Sequence, residues 1–291
     1  LSSTDQRQHL LFERETHFRN FQLWPLANKL DLRRWLGNFE NAEQEFALRL
    51  ANAFCYFSDD AVDALFRASV QRYFNVLASR KTLSATQPLH RLAFVPVEGE
   101  TPNTTDSGHL FARRLKKKMG VPEARILYPA NVIQSHSNYD TIIFVDDFVG
   151  SGNQMEETFR RSYEGQSFWE LAHSRQMTFG YCACVFTEKG LNRLRTNLPM
   201  LDLSPAHVTG EDYNLSLPSS SFWSGLEPSA IEAFLRSASA RAGFTREDHS
   251  EEDWRGFHGL GLGVGFSHGI PDANLALFWS QRNDWKPLVR W

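Results

Sequence analysis

Through residue 80, apolar positions recur at helical spacing. Trp24–Leu36 carries them near every third or fourth place, and Ala42–Phe57 repeats Phe46, Leu48, Leu50, Ala53, Phe54 and Phe57. Ser58-Asp59-Asp60 then offers a helix N-cap with acids in the first turn. A stripe of Val62, Leu65, Phe66, Val70, Tyr73, Phe74 and Leu77 follows. The pattern predicts a part that is helical throughout, with the aromatic stripe as a packing face rather than a cofactor site.

After the polar break Lys81–Gln87 the pattern changes. Leu92–Val97 reads as a strand, with Pro96 near its end because proline donates nothing to a ladder. Glu98-Gly99-Glu100 forms the next loop. A helix is expected from Asp106 or Ser107 to Met119, carrying Leu110, Phe111, Leu115 and Met119 inward and stopped by Gly120 and Pro122. Arg125–Tyr128 reads as a strand, followed by a polar loop to Tyr139, a buried strand Thr141–Val145 and a further buried strand Phe179–Phe186. Between the last two lies helical spacing at Met155, Phe159 and Tyr163. Strands alternating with helices predict an α/β fold with a parallel sheet. Near the C-terminus, Leu260–Ser267 reads as a strand and the residues after it as a short loop. The expected organisation is therefore a helical part over 1–85 and an α/β domain with a C-terminal hood or extension over 86–291.

The chemistry concentrates in TIIFVDDFVGSGNQ, residues 141–154. A buried strand runs into the pair Asp146-Asp147, then into Gly150-Ser151-Gly152 and a helix that opens at Asn153-Gln154. Open α/β sheets place ligands at the carboxyl ends of their strands. A tight glycine turn leading into a helix presents backbone N–H groups to an anion. Adjacent carboxylates repel each other and gain nothing structurally by themselves, which favours a ligand-facing role.

This stretch resembles the ribose-phosphate signature of type I phosphoribosyltransferases, in which four apolar residues, two acids, a spacer and Thr-Thr-Gly-x-Thr follow one another. Asp146 and Asp147 match the acids, Ser151-Gly152 match Thr-Gly, and Gln154 stands where that family has threonine. The order from Arg91 to Thr187 also follows the family, with Glu98–Thr101 at the pyrophosphate-loop position and Ser107-Gly108 opening the next helix. The resemblance implies that Asp146 and Asp147 hold the ribose hydroxyls of phosphoribosyl pyrophosphate and help hold Mg2+. It implies that Gly150, Ser151, Gly152, Asn153 and Gln154 bind the 5′-phosphate, and that Glu98, Gly99 and Glu100 border the pyrophosphate.

The whole chain is similar to phosphoribosyltransferase-like proteins of bacterial conflict and anti-phage loci, such as retron-associated effectors. Their terminal Pro-x-x-Asn-Leu-x-x-x-Trp segment is filled by Pro271, Asn274, Leu275 and Trp279. The resemblance implies a glycosyltransferase acting as a toxic effector on a nucleotide pool or on RNA, with His268 and Asn274 reading a nucleobase or nucleotide acceptor. It also implies a protein partner or antitoxin from the same locus. Two alternatives stay open: a nucleotide-sensing module of the same fold that does not turn over, and an S-adenosylmethionine-dependent nucleic-acid methyltransferase. The latter draws on Asp146-x-Phe148-x-Gly150-Ser151-Gly152, but the chain lacks the N/D/S-P-P-Y/F/W tetrapeptide that grips the amine.

Composition narrows this picture. The chain has 291 residues, 42% of them hydrophobic, with 23 Phe and 8 Trp, enough for one large or two small cores. A net charge of −3 gives no whole-chain pull toward nucleic acid or membrane. Cys55, Cys182 and Cys184 are too few for a disulfide framework; the last two, spaced by one residue, would face one side of a strand as buried thiols. No apolar run approaches the ~20 residues that span a bilayer, and residues 1–15 lack a secretory signal pattern. A cytoplasmic setting is the expectation. One tension stands in the site. The loops Glu98–Glu100 and Pro129–Tyr139 carry neither Lys nor Arg, while Glu156 and Glu157 follow the glycine turn where they oppose a phosphate. Arg91, Arg113, Arg114, the C-terminal part and a partner subunit are the candidate sources of cations.

Overall fold

The structure, a computed structural model, describes residues 3–26, 28–80, 91–99, 107–175 and 177–290. In chain order its helices are α1 (Ser3–Asn20), α2 (Leu32–Leu36), α3 (Gln44–Ala53), α4 (Asp59–Ser79), α5 (Ser107–Met119), α6 (Pro129–Gln134), α7 (Asn153–Arg160), α8 (Phe168–Ser174), α9 (Glu188–Asn197) and α10 (Pro228–Arg241). Its strands are β1 (Cys55–Phe57), β2 (Leu92–Pro96), β3 (Thr141–Val149), β4 (Thr178–Thr187), β5 (Leu201–Thr209) and β6 (Val264–Phe266). The fold is α/β, with parallel sheets flanked by helices and a helix at the N-terminus.

The chain forms two compact units. One joins Leu1–Ala61 to Gly210–Trp291, and the other is Val62–Thr209. This division does not follow the 85/86 border expected from the sequence, because the border falls inside the first turn of α4.

The α/β unit, residues 62–209, is built on a sheet of order β2-β3-β4-β5, parallel at every pairing. Alternation gives β3 and β4 two different faces. On one, Phe144 meets Phe159 of α7 and Phe168 of α8, with ring centroids 5.9 and 4.9 Å away. On the other, Cys182 and Cys184 point toward α4, as the spacing predicts. The Cys184 thiol lies 3.7 Å from the Val62 carbonyl, and burial pushes the Cys182 thiol up to about 12. Reciprocal bonds tie α4 to β5: Ser69 Oγ donates to Ser204 O at 2.5 Å, and Ser204 Oγ donates to Ser69 O at 2.8 Å. From Val62 onward, α4 is therefore a layer of the α/β unit, not part of a separate helical domain.

Several sequence expectations change here. Arg125–Tyr128 is not a strand. A 3-10 turn covers Glu123–Arg125, and only Ile126 bridges to Phe94. The loop to Tyr139 contains α6, with Pro129 in its first turn and Val132 and Ile133 buried. β5 is a strand the sequence reading lacks. It is an edge strand carrying Pro205, where proline is tolerated.

The other unit has its own core, in which Trp35, Phe39, Phe54, Trp223, Phe234, Phe278 and Trp285 are buried. Trp35 and Trp285 both donate their indole N–H to the Leu277 carbonyl, at 2.7 and 3.0 Å. β1 pairs in parallel with β6, Cys55 beside Val264 through Phe57 beside Phe266. Residues 55–57, expected as the end of a helix, are thus a strand.

Candidate functional site

β3 outruns β2. Pro96 pairs with Val145, and Val97 N donates to Val145 O at 3.1 Å. Beyond that point β3 continues to Val149, paired with β4 as far as Phe186. Asp146 and Asp147 sit in this overhang, and Glu98-Gly99 leave the same end of the sheet from the neighbouring strand. Topology thus brings together Glu98, Gly99, Asp146 and Asp147; Glu100 and Thr101 lie outside the described residues.

The two acids differ in environment. Asp146 is buried, 1% exposed. Its Oδ2 accepts from the Tyr181 hydroxyl at 3.2 Å, and its Oδ1 accepts from Asp147 N at 2.9 Å. Tyr181 is itself buried, and burial together with the Asp146 charge holds its hydroxyl well above the ordinary range, so it stays a donor. Asp147 is half-buried and accepts from Phe148 N at 2.8 Å. By alternation it faces the side of the sheet that carries Cys184.

The glycine turn is held from behind by α9. Gly152 adopts φ +82° and caps α7, a left-handed conformation that glycine takes without a Cβ penalty. Ser151, largely buried, accepts on Oγ from Asn153 N at 3.3 Å. Thr187 Oγ1 donates to Gly150 O at 2.5 Å and accepts from Gly190 N at 3.0 Å, which caps α9. A Cβ on Gly190 would come within 2.3 Å of Gly150 O, so the turn and α9 meet backbone to backbone. Gln154 is half-buried in the first turn of α7.

Glu156 does not stand against an incoming anion as the sequence suggests. Its carboxylate accepts from Arg193 Nε at 2.9 Å and Asn197 Nδ2 at 3.1 Å, both on α9, with Arg160 at 3.6 Å. Burial would raise its pKa, but the Asn197 and Arg193 bonds outweigh that and hold it below the usual carboxylate value.

A cation that the sequence reading did not consider reaches the β2 loop. Arg161, just past α7, donates to Glu98 Oε2 at 3.2 Å and to Gly99 O at 3.0 Å. Tyr163 donates to the same Glu98 oxygen at 3.0 Å, and Thr158 Oγ1 to Glu98 O at 3.1 Å. Three residues from α7 and its exit therefore bind the β2 loop to the glycine-turn helix. The only sequence signal was the short separation of Arg161 from the motif. Of the cations proposed from sequence, Arg91 sits at the opposite end of β2, paired with Asp140 at 2.6 Å. Arg114 is buried and pairs with Asp63.

His268 and Asn274 belong to the other unit. His268 is half-buried and stacks on Phe266, ring centroids 5.3 Å apart. Asn274 is fully buried. It accepts from Val264 N and donates to Pro271 O at 2.6 Å, fastening the terminal loop to β6.

A parallel sheet with an acid pair and a helix-capping glycine turn at its carboxyl edge defines a phosphoribosyltransferase-like α/β protein. Residues 32–290 match the PRTase-CE family model, and the chain belongs to that family, the phosphoribosyltransferases of conflict systems. This assignment replaces the methyltransferase reading. No curated protein matches the chain. Among the described residues, no helix is long and apolar enough to cross a membrane.

Proposed function

We propose that the α/β unit binds phosphoribosyl pyrophosphate or a related nucleotide at the end of β3 and transfers its phosphoribosyl group to a nucleobase or RNA acceptor. In a conflict system such a transfer acts as a toxic effector, held in check by a protein partner. The observation that carries the reading is the pairing of Asp146-Asp147 with a backbone-lined turn capping α7 at one sheet edge. Asp147, the more exposed acid, orients the ribose hydroxyls. Asp146, fixed by Tyr181, holds its neighbour in register. The amides of Gly150–Asn153 receive the 5′-phosphate. Arg161 keeps the β2 loop against α7, where the pyrophosphate would leave; His268 remains a proposed acceptor contact from family resemblance alone, and Asn274, with both ends of its amide paired inside its own unit, takes a scaffold role instead.

The donor set fits Mg2+, which takes one or two carboxylates and completes its shell with substrate oxygens and water. No group of three or more His, Cys, Asp or Glu among the described residues forms a cage without substrate. Bound at Asp147, with Asp146 behind it, the ion would supply charge stabilisation to the departing pyrophosphate. The C1–O bond to pyrophosphate breaks as the acceptor's lone pair bonds to C1, and the acceptor's proton goes to solvent.

Calorimetry with phosphoribosyl pyrophosphate, with and without Mg2+, tests binding, and pyrophosphate release tests turnover. Binding abolished by Asp147→Asn together with release of pyrophosphate supports the transferase. Binding without release in the presence of nucleobases and RNA identifies a sensor. No binding sinks both.

A further inference from the structure

The first unit carries a cleft of about 560 Å³ between α1, α3 and the turn at Ser221–Trp223. Its volume falls within the range of small-molecule sites, roughly 300–1,000 Å³. Leu11, Leu48 and Phe222 give it an apolar lining, and Arg7, Arg14 and Arg49 contribute three guanidinium groups; among the described residues, none that lines it is acidic.

The three arginines are held differently. Arg49 is fixed: Nε donates to Glu45 at 2.9 Å, and Nη1 donates to the carbonyls of Phe222 and Ser224 at 3.0 and 2.8 Å. Arg7 also pairs with Glu45, but its side chain is 49% exposed. An ion pair that exposed is largely screened by solvent, so the group can turn to a ligand. Arg14 pairs with the Asn52 side chain and lies over the Phe18 ring at 4.9 Å. Glu45 thus serves two of the three cations around an apolar floor, and Arg14 is held by an uncharged amide. Guanidinium groups favour bidentate oxyanions and the faces of planar rings.

We infer that this cleft binds a small aromatic oxyanion, a planar ring bearing a phosphate or a carboxylate. The site is independent of the transferase reading, since it belongs wholly to the other unit.

The probe is 8-anilinonaphthalene-1-sulfonate, an aromatic anion whose fluorescence rises in apolar sites. The expected result is saturable binding that AMP or indole-3-acetate displaces, while adenosine and indole do so at least tenfold less well. The competitor that displaces the probe identifies phosphate or carboxylate as the preferred group. Arg7→Glu/Arg14→Glu should weaken binding at least tenfold, and Asp147→Asn should leave it unchanged. Arg14→Gln, the milder variant, should weaken it several-fold even if the double variant loses its circular-dichroism signature. Equal displacement by the neutral compounds, or unchanged affinity in Arg14→Gln, overturns the proposal. So does a dimer in sedimentation that Arg14→Gln dissolves, because a second copy would then be the occupant of this face.

Discussion

At the end of β3, Asp147 stands half-buried beside a turn whose amides open onto a helix N-terminus, and Asp146 stands behind it on the Tyr181 hydroxyl. At the C-terminal family segment, Asn274 is equally polar and set among glycines, yet both ends of its amide are consumed by Val264 and Pro271 within its own unit. Asn214 nearby does the same work, donating to Gly259 O at 3.0 Å and accepting from Ser216 N at 2.9 Å. Both regions carry motif residues of one family, but burial with a full set of internal partners marks the second as scaffold. Polar groups aligned at a sheet edge, with the outer acid half-exposed, mark the first as a site.

The sharpest break of this comparison is Asp147→Asn. It should lower phosphoribosyl pyrophosphate affinity or turnover about a hundredfold, near 3 kcal/mol, with the denaturation midpoint unchanged; full activity, or unfolding, would make the acid pair scaffold as well. Next comes Asn274→Ala, which leaves the buried Val264 N–H without its acceptor. Urea denaturation should show a loss of about 2 kcal/mol, while phosphoribosyl pyrophosphate binding per folded molecule stays at the parent value. Lost binding with full stability would move Asn274 into the site.

Tyr181→Phe removes one donor from a buried carboxylate. A stability loss of about 1.5 kcal/mol is expected, with a smaller drop in affinity than Asp147→Asn gives; an equal drop would show that Asp146 itself meets the ligand. The smallest effect concerns Glu156, whose folded pKa lies below its ordinary value of 4.5. Its contribution is present above the unfolded pKa and is lost as pH falls through the lower folded value. Stability measured from pH 6 down to pH 3 should therefore fall less steeply in Glu156→Gln, by under about 1 kcal/mol. An identical slope would mean that the α7–α9 pairing with Arg193 adds nothing.

The strand, turn and helix of residues 141–160 were legible because their signal is contiguous: an apolar run, two acids, glycines and helical spacing in one window. The Cys182–Cys184 face was legible for the same reason, since a period of two needs no partner to be read. α4 shows the limit. Its stripe announces a buried face but not what covers it, and packing against β4 and β5 moves most of it out of the expected helical part. β1 is three residues long and exists through Val264–Phe266, far along the chain, so no local pattern distinguishes it from the end of α3. β5 hid behind Pro205, which reads as a break until the strand is known to lie at a sheet edge.

The sequence by itself determined an α/β fold, the acid pair and the glycine turn, because local periodicity and turn chemistry act over a few residues. Tertiary structure alone decided which acid is buried, that Arg161 braces the Glu98 loop, and that the chain returns after residue 209 to complete the unit its first 61 residues began. Those outcomes depend on side chains brought together by sheet order and core burial, and such meetings leave no trace in the spacing of neighbours along the chain.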